Sequence, residues 1–169
     1  MSKPFVAILI GSDADLPQME PALDTLARFK LDYELKVTSA LRAPDSTRDY
    51  VKDAEKRGCQ VFICAAGLAA HLAPAVAAVT TRPVIGNPLE AALDGLDALL
   101  STVQMPGGIP VATVAIGRAG AKNAAYLAAQ IMALLDPELA QRLKDDRAAN
   151  VKALQEKDAA LQARLARQD

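Results

Sequence analysis

A three-layer α/β/α sandwich around a parallel sheet is the fold class that the sequence predicts, and three observations carry it. Short apolar runs alternate with amphipathic or Ala-rich segments along most of the chain, which is the signature of strand–helix–strand units. The first run, Phe5 to Ile10, contains no polar residue, as expected for a strand buried on both faces of a parallel sheet. Glycine or a polar cluster closes the runs at Gly11, Ser39 and Gly67, so turn residues fall where such strands would end.

The elements follow in order. The strand Phe5–Ile10 stops at Gly11, and Ser12, Asp13, Ala14 and Asp15 lead into a helix from Leu16 to about Lys30, with Leu16, Met19, Leu23, Leu26 and Ala27 on one face. In Asp32 to Thr38, Tyr33, Leu35 and Val37 alternate with Glu34 and Lys36, as in a strand near a sheet edge. Pro44 suits the first turn of a second helix, and Gly58 ends it. Val61 to Ala66 is the third strand, and Leu68 to Val79 a helix with an irregular start. Pro83 to Gly86 is a short fourth strand, Asn87 to Asp97 a loop or short helix, and Leu99 to Met105 a buried helical turn. Val111 to Ile116 is the fifth strand, followed by an Ala-rich helix from Ala119 to Leu135. Asp136 and Pro137 then cap and open a last helix reaching about Arg167. Right-handed crossovers between five strands give a flavodoxin-like sandwich over residues 1–135, with 136–169 as a helical extension. The extension carries a thin apolar stripe of Leu139, Leu143, Val151, Leu154, Leu161 and Leu165, which suits packing on another subunit, or a partly solvated tail.

Composition narrows the function classes. A chain of 169 residues can bury roughly 70% of its unfolded surface without disulfide staples. A net charge of −1 and 4% aromatic residues argue against nucleic-acid binding, which uses basic patches and stacking rings. Two cysteines, Cys59 and Cys64, form no disulfide framework, which fits a cytoplasmic setting, and with one histidine they are too few for a typical structural zinc site. No apolar run has the length of a membrane span, and the first residues do not read as a signal peptide. Dinucleotide, phosphate-loop and nucleophile-elbow motifs are missing.

Small and polar residues remain at three strand ends: Gly11 to Asp15, Ser39 to Arg42, and Ala66 to His71. A parallel sheet sets these ends side by side, where open α/β sheets bind ligands. Ser12, Ser39 and Arg42 are suited to hold a phosphate, Asp15 to accept from sugar hydroxyls, and His71 to move a proton near neutral pH. The ligand class this suggests is small, phosphorylated and sugar-bearing. Each residue also has a plainer role: turn caps for the serines and Asp15, a surface ion pair for Arg42, a structural place for His71.

At these residues the sequence resembles the PurE family of purine biosynthesis, from about Val6 to Leu143. The likeness rests on GSDAD, SALRAP, AAGLAAHLAPAVAAVTTRPVIGNP and, most specifically, GLDALLSTVQMPGGIPVATVAIGRAGAKNAAYLAAQI. It implies a flavodoxin-like core, an octamer whose C-terminal helices pack on neighbouring subunits, sites between subunits, and no metal or organic cofactor. Bacterial members are mutases that move a carboxylate from N5 to C4 of 5-aminoimidazole ribonucleotide; a second class carboxylates the ribonucleotide directly with carbon dioxide. By this resemblance Ser12, Asp15, Ser39 and Arg42 match ligand-binding positions and Gly67, Ala70, His71 and Leu72 match a site loop; with Gly11 at the first strand end these are the candidate residues for a phosphoribosyl ligand, and His71 is the candidate catalytic residue.

Several positions depart from the family pattern. Leu41 replaces the histidine of its SAHR motif, Ala14 a serine of its first turn, Leu68 a loop glycine, Ala98 the serine of its DSL motif, and Ala73-Pro74 stands for Pro-Gly. A proton must leave C4 in the family reaction, and leucine does not titrate. Two readings follow: a mutase in which His71 has taken over proton transfer, or an inactive or repurposed member that keeps the pocket for a phosphoribosyl-type ligand. A purely structural assembly protein fits less well, because Ser12, Asp15, Ser39 and Arg42 remain.

Overall fold

A computed structural model describes residues 3–167. Its elements are β1 (Phe5–Ile10), α1 (Leu16–Arg28), β2 (Asp32–Val37), α2 (Pro44–Arg57), β3 (Cys59–Ala66), α3 (Leu72–Ala77), β4 (Val84–Pro88), α4 (Leu96–Val103), β5 (Ala112–Thr113), α5 (Gly117–Met132) and α6 (Pro137–Leu165). They form two compact units, one ending at Ile131 and the other starting at Met132.

In the first unit the five strands run in the order β2-β1-β3-β4-β5, all parallel. This is the flavodoxin-like order, and its switch point falls between β1 and β3. β1 is buried along its whole length, as a strand with a helical layer on each side must be. Its alternate residues serve the two layers. Phe5, Ala7 and Leu9 join Phe62 and Cys64 of β3 in a core with Val51 and Ala54 of α2 and Leu72, Ala73 and Val76 of α3. On the other face α1 and α5 meet through an edge-to-face contact of Phe29 with Tyr126, whose ring centroids lie 5.3 Å apart. The small residues of α5 let it sit close: a Cβ on Gly120 would collide with the Ala115 carbonyl and lie 2.5 Å from Asn87 Nδ2.

Gly58 closes α2 at φ +106°, the left-handed geometry that glycine takes without strain. β2 lies at the sheet edge as its alternation suggests, yet Tyr33, Leu35 and Val37 are exposed. The opposite register is held by polar chemistry: Glu34 accepts from the Tyr50 hydroxyl at 2.9 Å and pairs with the Arg57 guanidinium. That pairing holds the Glu34 carboxyl below its usual range.

Three expectations are corrected. The helical turn expected at Leu99 to Met105 starts earlier, at Leu96, and is not buried throughout: Leu96, Leu100 and Val103 are exposed. The fifth strand shrinks to two residues. Beyond Thr113 the Asn87 side chain, not a strand backbone, takes the Ala115 carbonyl at 3.0 Å and the Gly117 carbonyl at 3.3 Å, while β4 ends at Pro88, which has no N–H to offer. The helix expected from Leu68 shortens to Leu72–Ala77, because Leu68 has φ +57° and belongs to the loop.

The second unit is dominated by α6. Asp136 caps it, its carboxylate accepting the Leu139 N–H at 3.0 Å, and Pro137 opens it. Val151, Leu154, Leu161 and Leu165 are exposed along it.

Candidate functional site

The carboxyl ends of β1, β2, β3 and β4 open into one cleft of about 490 Å³. Gly11, Ser12 and Asp15 line it from the first strand end, Ser39, Leu41 and Arg42 from the second, Gly67, Leu68, His71 and Leu72 from the third, and Glu90 and Ala91 from the fourth. A crevice at the switch point of a parallel sheet is where the fold brings the most loops together.

Each strand end is shaped by its own short-range bonds. After β1, Ser12 is extended at φ −152°, its Oγ accepts the Ala14 N–H at 3.2 Å, and Asp13–Asp15 closes as one 3-10 turn. Gly11 has open space around it: a Cβ there would meet only Asp15 Oδ2, at 3.9 Å. Burial pushes the Asp15 carboxyl above its ordinary range, partly offset by a backbone hydrogen bond from Ser12. After β2, the Thr38 N–H continues the ladder to the Ile10 carbonyl, and its hydroxyl shares a 2.7 Å hydrogen bond with Thr47. Ser39 Oγ accepts the Arg42 N–H at 3.0 Å, so the turn is tight and Arg42 stands exposed at the rim.

After β3, the Leu89 N–H donates to the Ala66 carbonyl at 2.9 Å, and a Cβ on Gly67 would lie 3.4 Å from the Ala91 Cβ and 3.5 Å from the Leu89 carbonyl oxygen. Leu68 then takes the left-handed conformation at φ +57° and projects with 59% exposure. Ala70 is 3% exposed, and its N–H donates to Ser101 Oγ at 2.9 Å. His71 is exposed at the start of α3. After β4, the Gln18 amide of α1 brackets Glu90, accepting its N–H at 3.1 Å and donating to its carbonyl at 3.5 Å.

Of the residues singled out by sequence, Gly11, Ser12, Asp15, Ser39, Arg42, Gly67, His71 and Leu72 meet in this cleft, with Leu41 and Leu68 beside them. Ala70 is buried and does not line the cleft, Ala14 is exposed, and Ala98 is fully buried in α4. Sequence reasoning missed Glu90, Gln18 and Ser101. Glu90 follows a fourth strand whose end was read two residues early; Gln18 and Ser101 act across 72 and 31 residues of sequence, where local pattern carries no signal.

The lining brings together the Ser12 and Ser39 hydroxyls, the Arg42 guanidinium, the Asp15 and Glu90 carboxylates and the His71 imidazole. Hydroxyls and a guanidinium can donate to an anion, and a carboxylate can accept from sugar hydroxyls. Among the described residues no cluster of three or more His, Cys, Asp or Glu is arranged to hold a metal ion. Burial raises both thiols, Cys59 to about 11, so neither offers a reactive thiolate.

This combination defines a flavodoxin-like α/β protein with its site on the carboxyl edge of the sheet. The AIR carboxylase family model matches residues 5–153, and the chain belongs to that family. It is 52% identical over 143 residues to an N5-carboxyaminoimidazole ribonucleotide mutase of Thermotoga maritima, covering 84% of this chain and 82% of that one. It is 51% identical over 151 residues to the enzyme of the same name from Bacillus subtilis, covering 89% and 93%. The crystal structure of Treponema denticola PurE superposes with a TM-score of 0.84 at 30% identity, covering 94% of this chain and 99% of that one.

Proposed function

We propose that this protein is an N5-carboxyaminoimidazole ribonucleotide mutase of purine biosynthesis, acting at the cleft described above. The observation that carries the proposal is the convergence of Ser12, Asp15, Ser39, Arg42, Gly67 and His71 on one cleft, in a chain about half identical to enzymes of that name over most of its length. The reaction is an isomerisation: the N5–carboxylate bond breaks, a bond forms from that carbon to C4, C4 loses a proton and N5 gains one. Arg42, with the Ser12 and Ser39 hydroxyls, holds the phosphate by charge-assisted hydrogen bonds. Asp15 accepts from the ribose hydroxyls, and loop 67–72 lies against the ring. His71 is the only histidine of the chain and carries the proton between C4 and the departing amine.

A second reading has its own observation. Leu41 lies in the cleft where the resemblance expects a histidine, and a leucine there favours binding without turnover. In that case the protein is a repurposed member holding a phosphoribosyl-type ligand. In either case we infer a cytoplasmic octamer, in which 136–169 packs on neighbouring subunits and adjoining protomers complete the sites. The exposed apolar residues of α6 support this assembly. Analytical ultracentrifugation tests it, with a species of eight chains expected.

Carbon-13 NMR with substrate labelled at the N5 carboxylate decides between the readings. Under the mutase reading label appears on C4, and His71→Asn lowers the rate at least about 100-fold, the usual worth of a positioned acid–base group. Ribonucleotide binding with no transfer of label selects the second reading.

A further inference from the structure

Loop 66–71 reaches its shape against a local cost. A leucine at φ +57° is strained, and such residues persist only where the surroundings over-determine them. Hydrogen bonds do so here. The Leu89 N–H holds the Ala66 carbonyl before the strained residue. After it, the His71 N–H closes a tight turn on the Ala69 carbonyl at 2.8 Å, and Ser101 Oγ takes the Ala70 N–H. Of these, only the Ser101 bond ties the stretch between Leu68 and His71 to another element.

Ser101 is well set for this. Its Oγ accepts from Ala70 at 2.9 Å and donates within α4, to the Asp97 carbonyl at 2.9 Å or the Ala98 carbonyl at 3.2 Å. Both capacities of the hydroxyl are therefore engaged, and the loop is tied to a helix backbone. Ser101 itself does not line the cleft.

We propose that Ser101 is a positioning residue: its hydroxyl latches the Leu68-strained loop to α4 and so fixes where His71 stands at the cleft. This rests on the mutase reading for its kinetic readout, and on the hydrogen bond alone for its structural one. Removing the hydroxyl leaves the buried Ala70 N–H without a partner, and the strain at Leu68 then drives the loop into another shape. Relieving the strain with glycine lessens the need for the latch.

The experiment compares the unmodified protein with Ser101→Ala, Ser101→Thr, Leu68→Gly and the Ser101→Ala/Leu68→Gly pair. Amide exchange at Ala70 and His71 is expected to quicken at least about tenfold in Ser101→Ala, as for one lost buried hydrogen bond, and to stay slow in Ser101→Thr. With the N5-carboxylated substrate, kcat is expected to fall about 10- to 100-fold in Ser101→Ala with KM within about threefold, and Leu68→Gly is expected to restore part of that loss. Unchanged exchange at Ala70 in Ser101→Ala overturns the latch, as do effects of Ser101→Ala and Leu68→Gly that simply multiply. No turnover by the unmodified protein overturns the mutase reading instead, and the exchange rates then decide the latch by themselves.

Discussion

Leu41 sets an isobutyl group, 67% exposed, in the cleft that Ser39, Arg42 and His71 also line. Exposed leucine contributes nothing to the core, and it neither donates nor accepts a proton. Its effect is therefore on chemistry rather than on stability. Leu41→His restores a titratable group at the position where the resemblance expects one. Under the second reading, with the rest of the cleft intact, the initial rate of carboxylate transfer is expected to rise about 100- to 10,000-fold, with thermal stability unchanged. Under the mutase reading His71 already carries the proton and the rate is expected to change by less than about tenfold; a silent protein that stays silent makes Leu68 the next residue to revert. Residue identity is also where sequence is most direct. Leu41 and Leu68 stood out from the motif alone, whereas the left-handed backbone of Leu68 is a property of the loop and needed the structure.

At the scale of elements, β2 and α2 are joined by polar chemistry. Tyr50 and Arg57 of α2 both bond Glu34 of β2, Asp53 takes the Arg57 Nε–H at 2.6 Å, and the Arg57 guanidinium lies 5.3 Å from the centre of the Phe5 ring. The Glu34 carboxyl titrates below its ordinary range in the folded protein, so it stabilises the fold above the unfolded carboxylate range, and that contribution is lost as pH falls through the lowered value. Because the pair is part-exposed, solvent screening keeps it small. Glu34→Gln is expected to cost about 1 kcal/mol or less in urea unfolding at pH 7, and less still near pH 3. A cost that grows toward acid would contradict the assignment. This register was not legible beforehand: alternation showed a strand near a sheet edge but not which residue the helix covers, and here Glu34 alone is half-buried while the other five residues are exposed. Buried strands such as β1 were legible, because full burial leaves no choice of face. β5 was not, since the Asn87 side chain replaces its ladder.

For the whole molecule, the order β2-β1-β3-β4-β5 turns three separate stretches of sequence into one surface. The fold class was readable from the alternation of elements, the strand order was not, and the parallel sheet alone made the meeting of strand ends at Gly11, Ser39 and Gly67 an expectation. What sequence could not supply is the outer support, in which Gln18 and Ser101 hold the site loops from other elements. The central claim is that this cleft takes a phosphoribosyl ligand through Arg42 and the serines. Isothermal titration with 5-aminoimidazole ribonucleotide, on the unmodified protein and on Arg42→Ala, tests it most directly. Saturable binding, weakened about 10- to 100-fold in Arg42→Ala as for a lost charge-assisted contact, is the expected result. Absence of binding, or an affinity indifferent to Arg42, would contradict it.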